Sequence, residues 1–539
     1  MRRTLLALVG VLAVFAAGYA AVRPTNFSGW DEWLVIDLTS RGTIALPFEN
    51  RPFSLLFNLP GSLLRPGGLR GFWIVHGLYL WIAAASVFLL ARRLVPGRER
   101  LAFVAAALAA TWAPLDDMRL DTVLLANYSG ATAATLLATV LLVESVRTGR
   151  PLLLGAGALI GFTAVRALES TAALVVAAPA LLWLVPPSRD ARERSWRLRY
   201  VVAWTVIVLP ALVLAARPLV PGAPPSYQTA GLGLDPHPWH LALRLFRQIA
   251  YQLVPLVSTD PRELLFAPVG AAALLFLAAW AGLGRVLTDR ESSDRAEPWR
   301  LVAVGLAATV LGHAVLVLSP AMTTPSRMQI LSAPGIGLLL AGLAAAGTAP
   351  LGPRRRGAAL ALLACAMVAL GTGRTVAWQR TWDARSMWPA QKTSLVGVLR
   401  EAPGLAPGTI VLLLDEGGAW PASFTLRHAV RYLYGPAVVG SVWGAEPFLY
   451  PVHLVPEGVV SAPYESIRVA WQAPVSYHRY SAVVVMRSFA DGRVEILERW
   501  PEVLPKLPPG AVYEPRRRVV PAPLREERAI LADGVSPLR

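Results

Sequence analysis

Long apolar runs recur through most of this chain, and they limit its possible folds more than any other feature. A run of about 20 apolar residues can cross a bilayer as a helix, and about eleven runs approach that length. Because 55% of the residues are hydrophobic and 16% are charged, the sequence predicts a polytopic α-helical membrane protein rather than a soluble one. The predicted spans lie near 4–22, 72–95, 101–115, 122–145, 151–167, 170–186, 200–216, 264–284, 300–319, 328–347 and 357–375.

The net charge of +17 comes from arginines in alternate loops, which indicates membrane topology rather than nucleic-acid binding. Cytoplasmic loops carry the excess of Lys and Arg, so the pattern predicts a cytoplasmic amino terminus and an extracytoplasmic carboxyl-terminal region. We interpret the first run as an uncleaved anchor and the chain as a multi-pass protein of the cell inner (plasma) membrane. The arginine groups are Arg2 and Arg3; Arg92, Arg93, Arg98 and Arg100; Arg147 and Arg150; 189–199; 285–300; and Arg354, Arg355 and Arg356.

The character of the sequence changes near residue 375, where the apolar runs end. Residues 1–375 are predicted to form the membrane domain, with long outer loops at 23–71 and 217–263. The second loop contains a predicted amphipathic helix at 239–253, whose apolar face could lie along the bilayer surface. Residues 376–539 are predicted to form an extracytoplasmic α/β domain.

The elements predicted for this carboxyl-terminal domain follow from short patterns. The apolar run at 409–414, which ends at Asp415, predicts a buried strand, and residues 423–434 predict a helix. Residues 480–488 and 493–497 flank an Asp491-Gly492 pair, which is typical of a β-hairpin turn.

The first outer loop is unusually rich in charged and aromatic residues for a connector between two spans. Placing a carboxylate near a membrane costs free energy unless it faces water, a partner or a substrate. Asp31 and Glu32 precede a predicted helix at 33–40, where a carboxylate in a partly desolvated cleft could take a proton from a hydroxyl. The alternative is a solvated helix cap, since Asp favours helix starts. The loop also contains Asp37, Arg41, Glu49 and Arg51.

The order of these residues resembles the first outer loop of GT-C glycosyltransferases that use lipid-linked sugars, in the protein-mannosyltransferase and aminoarabinose-transferase branch. An acidic pair comes first, a short helix ends at Gly42, and Phe48-Glu49-Asn50-Arg51-Pro52 stands where the family has an aromatic-Glu-Lys-Pro-like element. Arg51 keeps the cation of that element but not its geometry. A second match, Asp116-Asp117-Met118-Arg119-Leu120-Asp121, resembles the family's second acidic motif. The resemblance covers roughly residues 1–150, and later spans only by topology.

This resemblance implies that a sugar moves from a polyprenyl-phosphate donor to an extracytoplasmic lipid, glycan or protein acceptor, with inversion. Asp31 would take the acceptor proton, while Arg51 and Arg327 would offset the charge on the leaving phosphate. No cofactor and no metal ligand set is predicted, although a divalent cation is compatible with the superfamily, and no nucleic acid is expected as a partner. The implied catalytic residues are Asp31, Glu32, Asp116 and Asp117, and the implied substrate-binding residues are Glu49, Arg51, Arg119, Asp121 and Arg327.

Other residues and other functions stay open from the sequence alone. His237 and His240 could join a metal site with a loop carboxylate, but two histidines near prolines are a thin basis for one. Arg166 and Glu169 are expected to pair with each other. The alternative functions are an O-antigen-type polymerase or ligase, and a non-catalytic membrane protein that binds saccharide through the acidic loop.

Overall fold

The structure is a computed structural model. All of its regular elements up to residue 401 are helices, and its strands begin at residue 404. Its architecture is therefore a helical part followed by a smaller part that contains strands. The residues that the structure describes are 2–45, 51–64, 68–112, 120–186, 191–217, 237–286, 296–317, 329–444, 450–462, 475–521 and 531.

Every predicted apolar run contains residues that form a helix in the structure. The prediction of an α-helical membrane protein is therefore confirmed at the level of its class. Among the described residues, six helices are long and apolar enough to cross a bilayer, and four shorter apolar helices accompany them. The count of eleven spans therefore stays a prediction. In chain order the helices of this part are α1 (Arg2–Tyr19), α2 (Glu32–Thr39), α3 (Leu59–Leu64), α4 (Leu69–Leu94), α5 (Glu99–Thr111), α6 (Ala126–Thr148), α7 (Pro151–Ala167), α8 (Ala172–Ala177), α9 (Leu181–Leu184), α10 (Ala191–Ala216), α11 (Pro238–Leu253), α12 (Pro255–Ser258), α13 (Ala267–Val286), α14 (Glu297–Val317), α15 (Gln329–Thr348), α16 (Pro353–Arg385) and α17 (Trp388–Glu401).

The arginines around the connection between α4 and α5 lie at one end of the helix bundle, where ion pairs join different helices. Arg93 on α4 pairs with Glu144 on α6 at 2.5 Å, and Arg98 pairs with Glu297 on α14 at 2.8 Å. We call this the arginine-rich end. The opposite end, which carries the segment between α1 and α4, is called the loop end below.

Helices α14 and α15 pack with their backbones in contact because glycines line the interface. A Cβ added at Gly335 would lie 2.6 Å from the Thr309 nitrogen and 2.7 Å from the Gly305 oxygen. A Cβ added at Gly305 would lie 2.4 Å from the Leu339 nitrogen. Small residues at such interfaces let membrane helices approach closely, so these glycines determine how the two helices sit together.

Replacing Gly335 with alanine is expected to destabilise the protein by about 1–3 kcal/mol, because the new methyl group meets backbone that cannot move aside. Gly347 on the same helix has nothing within 4 Å of an added Cβ, so Gly347→Ala is the matched control. That variant should be neutral or slightly stabilising, since alanine favours a helix over glycine. The measurement is the midpoint of SDS-induced unfolding in mixed micelles. Equal midpoints for the two variants would contradict the close approach.

The carboxyl-terminal part contains α18 (Ser423–Tyr434) and a four-stranded sheet in the order β3-β2-β7-β8. Strand β2 runs parallel to β3 and β7, and β8 is antiparallel to β7. The predicted strand, helix and hairpin of this part are all confirmed. The strands are β1 (Gly404–Leu405), β2 (Ile410–Asp415), β3 (Val439–Trp443), β4 (Val452–Val455), β5 (Gly458–Ser461), β6 (Ser476–His478), β7 (Val483–Ser488), β8 (Val494–Ile496) and β9 (Val519–Val520).

Aromatic packing and an amide clamp join the first loop to the carboxyl-terminal part. Phe27 and Trp33 share one buried cluster with Trp388 on α17 and with residues of the sheet domain. The amide of Gln391 accepts a hydrogen bond from Trp33 Nε1 at 2.8 Å and donates one to the Gly29 oxygen at 2.8 Å. Helix α16 leads into this junction and runs through the predicted boundary at 375/376 without a break.

Candidate active site

At the loop end, the first outer loop contacts Leu120 and Val123, on either side of Asp121, the last residue of the second acidic segment. Asn26 Nδ2 donates to the Leu120 oxygen at 3.0 Å, and Asn58 Nδ2 donates to the Val123 oxygen at 2.6 Å. Both asparagines belong to the first outer loop, so side-chain amides fix the segment before α6 onto that loop. Of the predicted site residues, Glu49, Asp116, Asp117, Arg119 and Arg327 lie outside the residues that the structure describes.

Asp31 is half-buried and immediately precedes α2. Its side chain makes no capping hydrogen bond to that helix. The helix-cap alternative therefore lacks the contact that defines a cap. The catalytic role of Asp31 stays a prediction.

Glu32 is fully buried and holds the turn before α2 in place. Its Oε1 accepts a hydrogen bond from the Ser28 nitrogen at 2.5 Å, and its Oε2 accepts one from the Trp30 nitrogen at 2.9 Å. Burial raises the pKa of the Glu32 carboxyl, although these hydrogen bonds act in the opposite direction. This geometry gives Glu32 a part in shaping the turn that carries Asp31. Its predicted catalytic role stays a prediction.

Arg51 is bound to Glu169 by two hydrogen bonds, one of them from Nε to Oε2 at 2.6 Å and the other from Nη2 to Oε1. The sequence analysis expected Glu169 to pair with Arg166 instead. Arg166 is buried and acts on the same carboxylate through its charge, and its Nη1 has no hydrogen-bond partner among the described residues. Two guanidinium groups therefore act on one carboxylate at this point.

Asp121 is fully buried and closes the turn that leads into α6. Its Oδ1 accepts a hydrogen bond from the Leu124 nitrogen at 2.9 Å, and its backbone oxygen accepts one from the Leu125 nitrogen at 3.0 Å. In α6 itself, Asn127 Nδ2 donates to the oxygen of Ala167, the residue after Arg166, at 3.3 Å. The Asp121 turn and the Arg166–Glu169 segment are thus joined through the start of α6.

An apolar cluster shows that four chain segments converge on this region of the loop end. Phe57 follows Arg51 in the first loop, Tyr128 belongs to α6, Leu168 lies between Arg166 and Glu169, and Ile330 begins α15. Because these residues pack together, the segments that carry Arg51, Asp121 and Glu169 are neighbours. Asp121 therefore lies near the first loop, and Glu169 is a neighbour that the sequence analysis did not assign to the site.

The histidines of the second outer loop lie close to each other, with ring centroids of His237 and His240 5.0 Å apart. The amphipathic helix predicted beside them is present as α11, with Trp239 and Phe246 exposed. Within the described ranges, no three His, Cys, Asp or Glu side chains are grouped in a way that could hold a metal ion. Glu32 already accepts two backbone hydrogen bonds, so its oxygens are engaged elsewhere.

Comparison with known proteins gives distant structural matches only. No protein-family model matches the chain, and no curated protein matches it. Among solved structures it is similar to ArnT from Cupriavidus metallidurans in the apo state. That match has 15% identity and a TM-score of 0.37, and it covers 75% of this chain and 81% of the other. ArnT bound to undecaprenyl phosphate gives 16% identity, a TM-score of 0.35 and coverage of 75% and 82%.

With TM-scores below 0.5 and identities of 15% and 16%, these matches assign no family, residue, substrate or activity to this chain. The chemistry of the site must follow from its own side chains: a half-buried carboxylate at Asp31, a buried carboxylate at Glu32 that accepts two backbone hydrogen bonds, and the cluster of Arg51, Glu169 and Arg166.

Proposed function

We propose that this protein is an integral-membrane glycosyltransferase that moves a sugar from a polyprenyl-phosphate donor to an extracytoplasmic acceptor, with inversion at the anomeric carbon. The observation that supports the proposal is the pair of amide hydrogen bonds from Asn26 and Asn58 of the first loop to Leu120 and Val123, which flank Asp121 of the second acidic segment. Those are the two segments whose order along the chain resembles the family.

The proposed reaction is a single displacement at the anomeric carbon. Asp31 takes the proton of the acceptor hydroxyl, whose oxygen forms the new bond to the anomeric carbon. The bond from that carbon to the phosphate oxygen breaks, and polyprenyl phosphate leaves with the electron pair. One displacement reverses the configuration, which accounts for inversion.

Positive charge near the leaving phosphate would stabilise the transition state. Arg51 pairs with Glu169, and the charge of Arg166 acts on the same carboxylate, so two guanidinium groups that suit a phosphate lie close together here. Arg327 is proposed to add a further cation from the segment before α15. Asp116, Asp117, Arg119 and Asp121 would position the acceptor or these arginines, and Glu49 would contact the donor.

The proposed orientation of the protein in the membrane follows from the distribution of its arginines. The arginine-rich end faces the cytoplasm, and the loop end with the carboxyl-terminal domain faces the outside of the inner membrane of a bacterium. A donor sugar presented in the outer leaflet would then reach the Asp31 turn without crossing the bundle.

The test is sugar transfer by the full chain in nanodiscs, with polyprenyl-phosphate sugars, nucleotide sugars and a membrane-lipid extract supplied in separate reactions. We expect transfer from a polyprenyl-phosphate sugar, none from a nucleotide sugar, and none with empty nanodiscs. The product should be followed by mass spectrometry, and its anomeric configuration by NMR.

Three results would count against the proposal. Transfer from nucleotide sugars alone would exclude a lipid-linked donor. Joining of preassembled saccharides, without transfer of single sugars, would favour the polymerase or ligase alternative. Tight binding of the donor without turnover in any acceptor extract would favour the non-catalytic saccharide-binding alternative.

A further inference from the structure

A cluster of charged residues joins α2 to α18 away from the proposed active-site residues, and we call it the junction cluster: Asp37, Arg41, Arg427, His428 and Arg431. Asp37 is buried, and its Oδ1 lies 2.6 Å from Arg41 Nη2. Its Oδ2 lies 2.8 Å from His428 Nδ1 and 3.7 Å from Arg431 Nε. A carboxylate of the first loop thus contacts an arginine of its own segment and two side chains, His428 and Arg431, of the carboxyl-terminal domain.

Arg427 is the deepest cation of the junction cluster, with only 3% of its surface exposed. Its Nη1 donates to Ser461 Oγ at 2.8 Å, and its guanidinium lies 4.3 Å from the ring centre of Tyr450. Its Nε has no hydrogen-bond partner in the part of the chain that the structure describes. Burial lowers the pKa of Arg427 to about 10, while the charge of Asp37 acts in the opposite direction.

The described residues of the junction cluster carry more positive than negative charge. Three guanidinium groups face one carboxylate, Asp37. Burial lowers the pKa of His428, so at neutral pH this residue adds no charge and donates its Nδ1 proton to Asp37. Among the described residues, two positive charges therefore remain uncompensated at a partly buried position. Such an excess is costly unless an anion accompanies it.

We propose that the junction cluster binds a phosphate group. The guanidinium fork matches two oxygens of a phosphate, and a dianionic phosphate would neutralise the two excess charges. Access is through Arg41 and Arg431, whose side chains are 28% and 23% exposed, with Arg427 behind them. The proposal does not depend on the glycosyltransferase reaction, because none of these residues belongs to the proposed catalytic set.

The consequence of such binding would be a tighter junction between α2 and α18. Asp37 belongs to the helix that follows Asp31, whereas Arg427 and Arg431 belong to the carboxyl-terminal domain. A phosphate held by both sides would stabilise the docking of the first loop onto that domain. The phosphate could be a soluble ion or the headgroup of a lipid, and the chemistry of recognition is the same for both.

The test is thermal unfolding of the full chain at constant ionic strength, first in detergent with increasing inorganic phosphate. We expect the melting temperature to rise with phosphate, and the apparent Kd to increase at least about tenfold in Arg431→Gln and in Arg41→Gln, since each removes a charged hydrogen-bond donor. Arg487→Gln is the matched control, because Arg487 lies on β7 of the same domain and pairs with Glu416. Its response should equal that of the native protein.

A second arm identifies the source of the phosphate. A rise in melting temperature in nanodiscs of phosphatidylglycerol, relative to phosphatidylcholine, that is lost in Arg431→Gln would assign the site to a lipid headgroup. A response to inorganic phosphate alone would assign it to a soluble ligand. The proposal is overturned if neither phosphate source stabilises the native protein, or if Arg431→Gln responds as strongly as Arg487→Gln.

Discussion

Replacing Asp31 with asparagine is expected to lower the rate of sugar transfer by about 10²–10⁴-fold while the protein stays folded. Asparagine has nearly the same size and keeps one acceptor oxygen, but it cannot take the proton of the acceptor hydroxyl. Because Asp31 makes no capping bond to α2, the substitution should remove chemistry without removing a structural contact of that helix. The measurement is single-turnover transfer from a polyprenyl-phosphate sugar in nanodiscs, with the melting temperature recorded in parallel.

The matched control is Asp260→Asn. Asp260 is an exposed carboxylate of the second outer loop, and it accepts a hydrogen bond from the Arg262 nitrogen at 2.9 Å. This variant should transfer sugar at the native rate. If Asp31→Asn did the same, the base would have to be sought among Asp116, Asp117 and Asp121.

Replacing Glu169 with glutamine is expected to destabilise the protein by about 3 kcal/mol or more, because it leaves Arg51 and Arg166 partly buried without their carboxylate. Replacing Arg51 with methionine should destabilise the protein clearly less, since Glu169 could then pair with Arg166, whose charge already acts on it. This asymmetry is specific to a carboxylate shared by two arginines. The measurement is the midpoint of unfolding by SDS for both single variants and for the exchanged pair, Arg51→Glu with Glu169→Arg.

The exchanged pair should recover part of the stability that Glu169→Gln loses. A suitable control is the surface pair of Arg487 and Glu416, whose side chains are 35% and 56% exposed. Breaking that pair should cost less than about 1 kcal/mol because water solvates both groups. An equal loss in Arg51→Met and Glu169→Gln would show that Arg166 takes no part in the cluster.

Local patterns predicted most of the helices and strands, because the apolar period and the turn residues act over a few positions. The helix at 423–434 and the strand that ends at Asp415 were predicted with nearly their observed bounds. The coarse arrangement of the first loop beside Asp121 followed from a family resemblance. Nothing in the periodicity of the chain would have indicated it.

Partners distant along the chain could not be predicted in this way. Glu169 was expected to bind Arg166, three positions away, yet it binds Arg51, which is 118 positions away. Asp37 and His428 are separated by 391 positions, so no local pattern connects them. Charge-pair partners depend on which segments the tertiary fold brings together, and a single sequence contains no record of that. The two hydrogen bonds of Glu32 are local, yet their part in shaping the turn became clear only once the burial of this side chain was known.

Helix α16 contains 33 residues, which corresponds to a length of about 50 Å. The hydrocarbon core of a bilayer is only about 30 Å thick, so this one helix is long enough to continue well beyond it and into the carboxyl-terminal domain. Each residue of an α-helix turns the chain by about 100°, so inserting or deleting one residue near 376–385 would rotate the domain about the helix axis by that amount. The contacts of Gln391 and His428 with the first loop could not survive such a rotation. The exposed positions of this stretch should therefore tolerate many substitutions during evolution but almost no change in length.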